Sequence, residues 1–310
     1  MKVALLRCSG SLNLGNEFIN AGGEYLLRKA FPEAEFYFFE VFDSCLPYAY
    51  QYPSKPFTTS SISFINACDL AVFFAGSALS RYCEPMLTSL TQLRPPKVMM
   101  GASMYAYDDY EEALCRRLAS CFDLICPRDS ITHSALGEGA NILPGLDLGF
   151  FSGEGQNFPC EPGGYALVNI DLIKDNRETI SDNYTHLMNK YGQCYIIENT
   201  TTRYTDVEGY VYLGYWESLY NIIANAEYVV TNRIHTTVVC LAHGVAFRYV
   251  GDDQGGIKGR NTLFNEIDFT LRHHVTYNRE ELLPTRGRIK EKKSRFSQEA
   301  CDRLRLLFNT

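Results

Sequence analysis

The stretch "EYVVTNRIHTTVVCLAHGVAFRYVG", Glu227 to Gly251, decides how this chain is read. Its opening "EYVVTN" is short, apolar and β-branched, which predicts a buried strand. "HTTVVCLAHG" predicts a helix closed by Gly244, and "VAFRYVG" predicts the next strand. A strand, a helix and a second strand make the crossover unit of a parallel sheet. Between the first strand and the helix lie Asn232, Arg233 and His235, polar groups among apolar neighbours. The first turn of a helix presents free N–H groups and a positive dipole end, so it favours an anion. Arg233 adds a planar fork that is always charged, and His235 adds a group that titrates near neutral pH. Together they point to an anionic ligand, bound by Arg233 and given a proton by His235. The plainer alternative is that Arg233 pairs with an acidic residue and His235 caps the helix. The strand-end position weighs against it.

Outward from this stretch the same rhythm recurs. "KVALLRC", "EFYFFEVF", "DLAVFFAG", "PKVMMGAS" and "DLICPRD" predict strands in the first half, with helices over "EFINAGGEYLLRKAF" and "YEEALCRRLASC" and a helix after Ser130 as N-cap. In the second half "YALVNI" and "QCYIIEN" predict strands, and "ISDNYTHLMNKYG" and "WESLYNIIANA" predict helices. "QEACDRLRLLF" predicts an amphipathic closing helix. The Gly- and Pro-rich residues 148–163 break the rhythm and predict an interdomain linker. At 310 residues the chain exceeds the size at which one core keeps growing. The expected fold is α/β, two doubly wound Rossmann-like domains facing a cleft. Residues 1–150 form the first, residues 163–285 the second, and residues 286–310 a basic segment with the closing helix.

Composition narrows the function. The chain is 46% hydrophobic and 21% charged with a net charge of -7, which argues against disorder and against a nucleic-acid partner. The 11 cysteines include no CxxC pair and sit in apolar context, as expected of buried thiols in a reducing compartment. No apolar run is long enough to span a membrane and the start resembles no signal peptide, so a cytoplasmic location is expected. The basic run "RGRIKEKKSRF", Arg286 to Phe296, reads first as a solvated face. Its sharper reading is peripheral contact with an anionic membrane or a lipid-linked substrate. No metal-ligand spacing and no GxSxG, GxGxxG or P-loop motif is present, so no cofactor or metal is expected.

In open parallel sheets ligands bind beyond the carboxyl ends of the strands. The polar or small residues at those ends are Asn13 and Asn16 in the first loop and helix entry, Gly76 and Ser77, Ser103, Arg128, and Asp147 in "PGLDLGFF". In the second half they are Asn169, Asn232 and Arg233, with Lys258 and Arg260 on the glycine loop "GGIKGRNTLF". Asn16 is read as a cap of its helix. Arg128 and Asp129 are read either as an internal pair or as cleft residues.

In order along the chain, "LNLGNEFINAGGEYLLRKAFP", "DLAVFFAGSAL", "DLICPRDSITHSAL", "LPGLDLGFF", "EYVVTNRIHTTVVCLAHGVAF" and a later "IKG" resemble the polysaccharide pyruvyl transferase family. The resemblance spans about residues 3 to 265. It implies a fold similar to GT-B glycosyltransferases. It also implies transfer of a pyruvyl group from phosphoenolpyruvate, a co-substrate, to two hydroxyls of a hexose in a glycan precursor, giving a cyclic ketal. His235 and Arg233 then correspond to the catalytic pair. Arg233, Lys258, Arg260, Asn232 and Asn169 correspond to the donor side, and Asn13, Asn16, Gly76, Ser77, Ser103, Arg128 and Asp147 to the acceptor side or cleft. A nucleotide-sugar glycosyltransferase and a silent sugar- or anion-binding relative are the alternatives. Three positions depart from the family pattern. Glu17 follows Asn16 with no Asp between, Ala75-Gly76-Ser77 replaces consecutive glycines, and Asn169-Ile170-Asp171 lacks an Arg. Asp171 would repel an anionic donor.

Overall fold

The computed structural model describes residues 1–7, 13–40, 59–156, 158, 163–171, 176–199, 207–251 and 260–308, with the backbone alone at 59, 60 and 260. The first sheet holds β1 (Lys2–Arg7), β2 (Glu35–Glu40), β3 (Leu70–Phe74), β4 (Lys97–Ala102) and β5 (Leu124–Pro127). Its order is β2-β1-β3-β4-β5 and every pair is parallel. The inner strands are buried on both faces, as β3 shows from Leu70 to Phe74. Helices α1 (Gly15–Ala30), α2 (Thr59–Ile65), α3 (Glu84–Leu90), α4 (Asp109–Ala119) and α5 (Ser130–Leu136) connect them.

The second sheet holds β6 (Ala166–Asn169), β7 (Cys194–Ile196), β8 (Tyr228–Thr231), β9 (Ala246–Tyr249) and β10 (Thr276–Tyr277), in the order β10-β9-β8-β6-β7. Only β10, among these, runs antiparallel. Its helices are α6 (Arg177–Tyr191), α7 (Trp216–Ala224) and α8 (Ile234–His243). The C-cap Gly244 of α8 has φ 69°, a left-handed conformation that glycine adopts without a steric penalty.

Three expectations about the chain's course are corrected. Residues 148–151 are not linker. They form a buried 3-10 turn, Leu148–Phe151, pressed against α1. A Cβ at Gly22 would sit 1.9 Å from the Leu148 carbonyl oxygen, so a glycine that weakens the helix locally permits this contact. Of the rest of that stretch, residues 157 and 159–162 lie outside the described residues. The division at residue 286 falls inside a single helix, α9 (Arg279–Leu306). The basic run is therefore helical and partly committed: Lys293 pairs with Glu154, and Arg288 donates to the Ile267 and Asp268 carbonyls. Finally, Asp129 rather than Ser130 caps α5, its carboxylate accepting from the Thr132 N–H at 2.8 Å.

The two sheets are joined by core. Phe18 of α1 meets Trp216, Tyr220 and His235 edge-on, with ring centroids 6.1, 5.7 and 6.4 Å away. The Leu14 N–H donates to the Asn199 carbonyl at 2.9 Å. Helix α9 starts beside the second sheet and ends on the first. There Arg305 donates to the Ala30 and Lys29 carbonyls at the end of α1, and Cys301 and Leu304 are buried. The described cysteines are free thiols, buried except Cys121.

Candidate active site

The loops after the carboxyl ends of both sheets face each other. On the first side a buried network forms around Arg128. Its guanidinium donates to Asp147 Oδ2 at 2.6 Å, to Ser103 Oγ at 2.9 Å and to Ser77 Oγ at 2.7 Å. The internal partner of Arg128 is thus Asp147, not the adjacent Asp129. Burial alone would push the Asp147 carboxyl up. Arg128, His235 and the Gly149 N–H outweigh it and hold the carboxyl below its ordinary value. Asp129 experiences the reverse: burial pushes its carboxyl up, despite the Thr132 and Tyr107 donors and the Arg128 charge.

On the second side, Arg233 is the N-cap of α8 and His235 lies in its first turn. Their neighbours differ. Arg233 pairs with Asp171 and lies 3.9 Å from Glu198, both in its own half of the chain. His235 reaches the other half. A Cβ at Gly15 would sit 2.6 Å from His235 Nδ1 and 3.1 Å from Asn13 Oδ1. A Cβ at Gly149 would sit 2.8 Å from Asp147 Oδ1 and 3.5 Å from the imidazole Cδ2. The ring is therefore held at the start of α1 and beside the 3-10 turn, close to a carboxylate.

The structure gathers Asn13, Ser77, Ser103, Arg128, Asp147 and His235 around this junction. Three readings of site residues change. Asn169 is fully buried, and its side chain is spent on the Ile197 carbonyl, Asn199, Thr231 and Thr236. It shapes the loops and does not present its amide to the cleft. Asn16 lies inside α1, buried, and it is Asn13 Oδ1 that accepts from the helix's first N–H at 3.0 Å. Gly76 has φ 52° and its carbonyl accepts from the Ser103 N–H at 2.7 Å, so it serves the turn. Asn232 is half-buried and bonded to the Asp171 N–H at 3.2 Å. Lys258 and the Arg260 side chain lie outside the described residues.

Sequence reading missed three site-builders. Glu111 is buried and accepts the Tyr105, Ala106 and Tyr107 N–H groups at 2.8, 2.7 and 2.9 Å, which fixes the loop after β4. Burial nevertheless pushes its carboxyl up. Asn199 and Glu198 follow β7 and supply the contacts to Leu14 and Arg233 named above. Their only signal was position, at the end of a strand. Among the described residues, no group of three or more His, Cys, Asp or Glu is placed to hold a metal ion. None of the described helices is long and apolar enough to cross a membrane.

Two Rossmann-like units with an active-site candidate between them define a GT-B-type fold, and solved structures agree. A UDP-GlcNAc 2-epimerase from Neisseria meningitidis bound to UDP-GlcNAc superposes with TM-score 0.55 at 11% identity, over 96% of this chain and 93% of that one. A Methanocaldococcus jannaschii UDP-GlcNAc 2-epimerase with UDP-GlcNAc and UDP gives 0.53 at 11%, over 94% and 92%. The S. aureus MnaA–UDP complex gives 0.55 at 10%, over 96% and 90%. At such identities the likeness is one of fold. None of the curated proteins matches the sequence. The polysaccharide pyruvyl transferase model matches residues 13–254, and the chain belongs to that family.

Proposed function

We propose that this protein transfers a pyruvyl group from phosphoenolpyruvate to two hydroxyls of a hexose in a polysaccharide or glycan precursor. The observation that carries the reading is His235, in the first turn of α8, held across the cleft beside Gly15 and Asp147. With the Asp147 carboxylate beside it, His235 can give a proton to the methylene carbon of the enol phosphate. The enol carbon becomes electrophilic and accepts the two sugar oxygens in turn. The C–O bond to phosphate breaks, phosphate leaves with the bonding pair, and the hydroxyl protons are released. The product is a cyclic ketal that carries a carboxylate.

Arg233 at the α8 N-terminus would bind the donor's phosphate or carboxylate. It now holds Asp171, so the donor has to displace that carboxylate from the fork. No metal or cofactor is needed for this chemistry. The acceptor would enter along the first sheet's loops, where Ser77 is only half-buried and bonded to Ser103 and Arg128.

The test offers phosphoenolpyruvate with a panel of hexosyl acceptors, free and lipid-linked, and follows phosphate release together with mass gain on the sugar. Both signals rising together support the transfer. A nucleotide sugar consumed while phosphoenolpyruvate stays intact with every acceptor would replace this reading by the glycosyltransferase one.

A further inference from the structure

The second sheet has a half-face that its helices leave open. Register places Tyr228 beside Ala246, Val230 beside Arg248, and Thr276 beside Arg248. Alternation puts these five side chains on one face, and Val229, Phe247 and Tyr249 on the other. The other face packs against α7, α8 and α9 in the main core. The first face packs against α6 alone among the described helices, through Ile180 and Leu187 over β6 and β7. Parallel sheets ordinarily cover both faces. Here the strip over β8, β9 and β10 instead floors a groove of about 540 Å³. It lies at the amino ends of the strands, across the sheet from the cleft.

The walls carry charge of one dominant sign. Lys190 and His186 stand on α6, Arg248 on the floor and Arg279 at the start of α9, against a single carboxylate, Glu227. Arg248 Nε is buried and has no hydrogen-bond partner among the described residues. None of Lys190, Arg248 and Arg279 is in an ion pair among the described residues. A buried guanidinium N–H left without an acceptor is costly, and the positive charge it belongs to makes an anionic acceptor the best match. Tyr191 and Tyr228 stack at 5.9 Å beside the cations, with Lys190 Nζ 5.0 Å from one ring and 5.7 Å from the other. Asn183, Asn278 and Thr276 add amide and hydroxyl groups along the rim. Cations together with tyrosines and amides suit an acidic sugar. Glu227 among the cations disfavours a densely charged phosphate and accepts sugar hydroxyls.

We propose that this groove is a second binding site, separate from the cleft, for a carboxylate-bearing oligosaccharide. Arg248 and Arg279 take the carboxylate, and the tyrosine pair and the rim amides take the sugar. The site would hold an anionic chain on the far side of the second domain whatever the cleft does to its own substrate, so it stands independently of the pyruvyl-transfer reading.

Calorimetric titration of the whole protein with hexagalacturonate, with neutral maltohexaose and with inorganic pyrophosphate tests it. Hexagalacturonate is expected to bind and maltohexaose not to. Affinity should fall about tenfold or more in Arg248→Gln and in the surface double variant Lys190→Gln/Arg279→Gln, the loss expected on removing charge-assisted contacts. Unchanged melting temperatures would show that both variants are folded, and the surface pair keeps the test usable if Arg248→Gln is not. Arg233→Gln, in the cleft, should leave this binding intact. Three results would overturn the proposal: no hexagalacturonate binding, binding indifferent to both groove variants or lost with Arg233→Gln, or pyrophosphate binding in the groove without the uronide.

Discussion

Two arginines, Arg128 and Arg233, each meet an aspartate at a strand end, and the two pairs could hardly differ more in setting. Arg128 and Asp147 are sealed, with side-chain exposures of 7% and 0%. Both serines on the guanidinium belong to the same network. Arg233 and Asp171 remain 22% and 33% exposed, beside a second carboxylate, Glu198. The sealed pair spends three guanidinium N–H groups on Asp147, Ser103 and Ser77, and it supports the loops beside His235. The open pair holds a cation whose present partner can be exchanged. Chemistry of residue type is the same in both; burial separates scaffold from site.

The largest expected effect comes from breaking the sealed pair. Asp147→Asn leaves Arg128 buried with no counter-charge, which costs about 3–5 kcal/mol of stability. Urea unfolding at pH 7 measures it. The pH profile has a definite sign. Asp147 is held below its ordinary value in the folded state, so its contribution is fully present above the unfolded value of about 3.9 and is lost as pH falls through the folded one. The stability gap between wild type and Asp147→Asn should therefore stay flat from neutral pH down to about pH 5 and narrow only below about pH 4. A gap that narrows above pH 5 would mean that Arg128 does not dominate this carboxyl.

Next in size is the proposed proton donor. His235→Gln should leave the melting temperature close to that of wild type and lower turnover of phosphoenolpyruvate by about 10²–10⁴, the usual worth of a positioned general acid. Stopped or slowed phosphate release with an intact far-UV spectrum is the expected record. Turnover that survives would remove His235 from the chemistry. Gly15→Ala tests the position of the same ring from the opposite side. The new methyl would meet Nδ1 at 2.6 Å, so the imidazole must move. Overpacking of this kind costs about 1–3 kcal/mol. Since Arg233 is untouched, kcat should fall more than KM rises.

Most of the fold was legible because its signals are local. Apolar runs such as Leu70–Phe74, the periodic faces of α4 and α7, and Gly244 as a stop all act within a few residues. β10 was not, since two residues make no pattern and its pairing with Phe247 and Arg248 is made over distance. Helix α9 was split because its basic run, Arg286 to Phe296, read as a surface segment before a separate closing helix, while packing of Leu282, Ile289, Phe296 and Ala300 makes one helix of the whole. Arg233 and His235 stood out by being polar between apolar segments. Glu111, Glu198 and Asn199 did not, because what they do is defined by groups outside their own elements: the Tyr105 to Tyr107 N–H groups, the Arg233 side chain and the Leu14 N–H. Partner choice was the least legible of all. Arg128 had an aspartate next to it in the chain and took one 19 residues away.

The smallest effect tests the open pair, and it asks whether Asp171 competes with the donor. Asp171→Asn keeps the shape, removes one of two carboxylates near Arg233 and leaves Glu198 in place. An exposed ion pair of this kind is worth up to about 1 kcal/mol, so the KM for phosphoenolpyruvate should fall by roughly fivefold or less with kcat little changed. The gain should shrink at high salt, because these groups meet solvent. Asp147→Asn offers no such gain, since a cation freed in a sealed network cannot be reached. If Asp171→Asn instead raises KM, the carboxylate orients the Arg233 fork for the donor rather than blocking it. The open pair would then be a positioning device like the sealed one, differing only in how near it stands to the ligand.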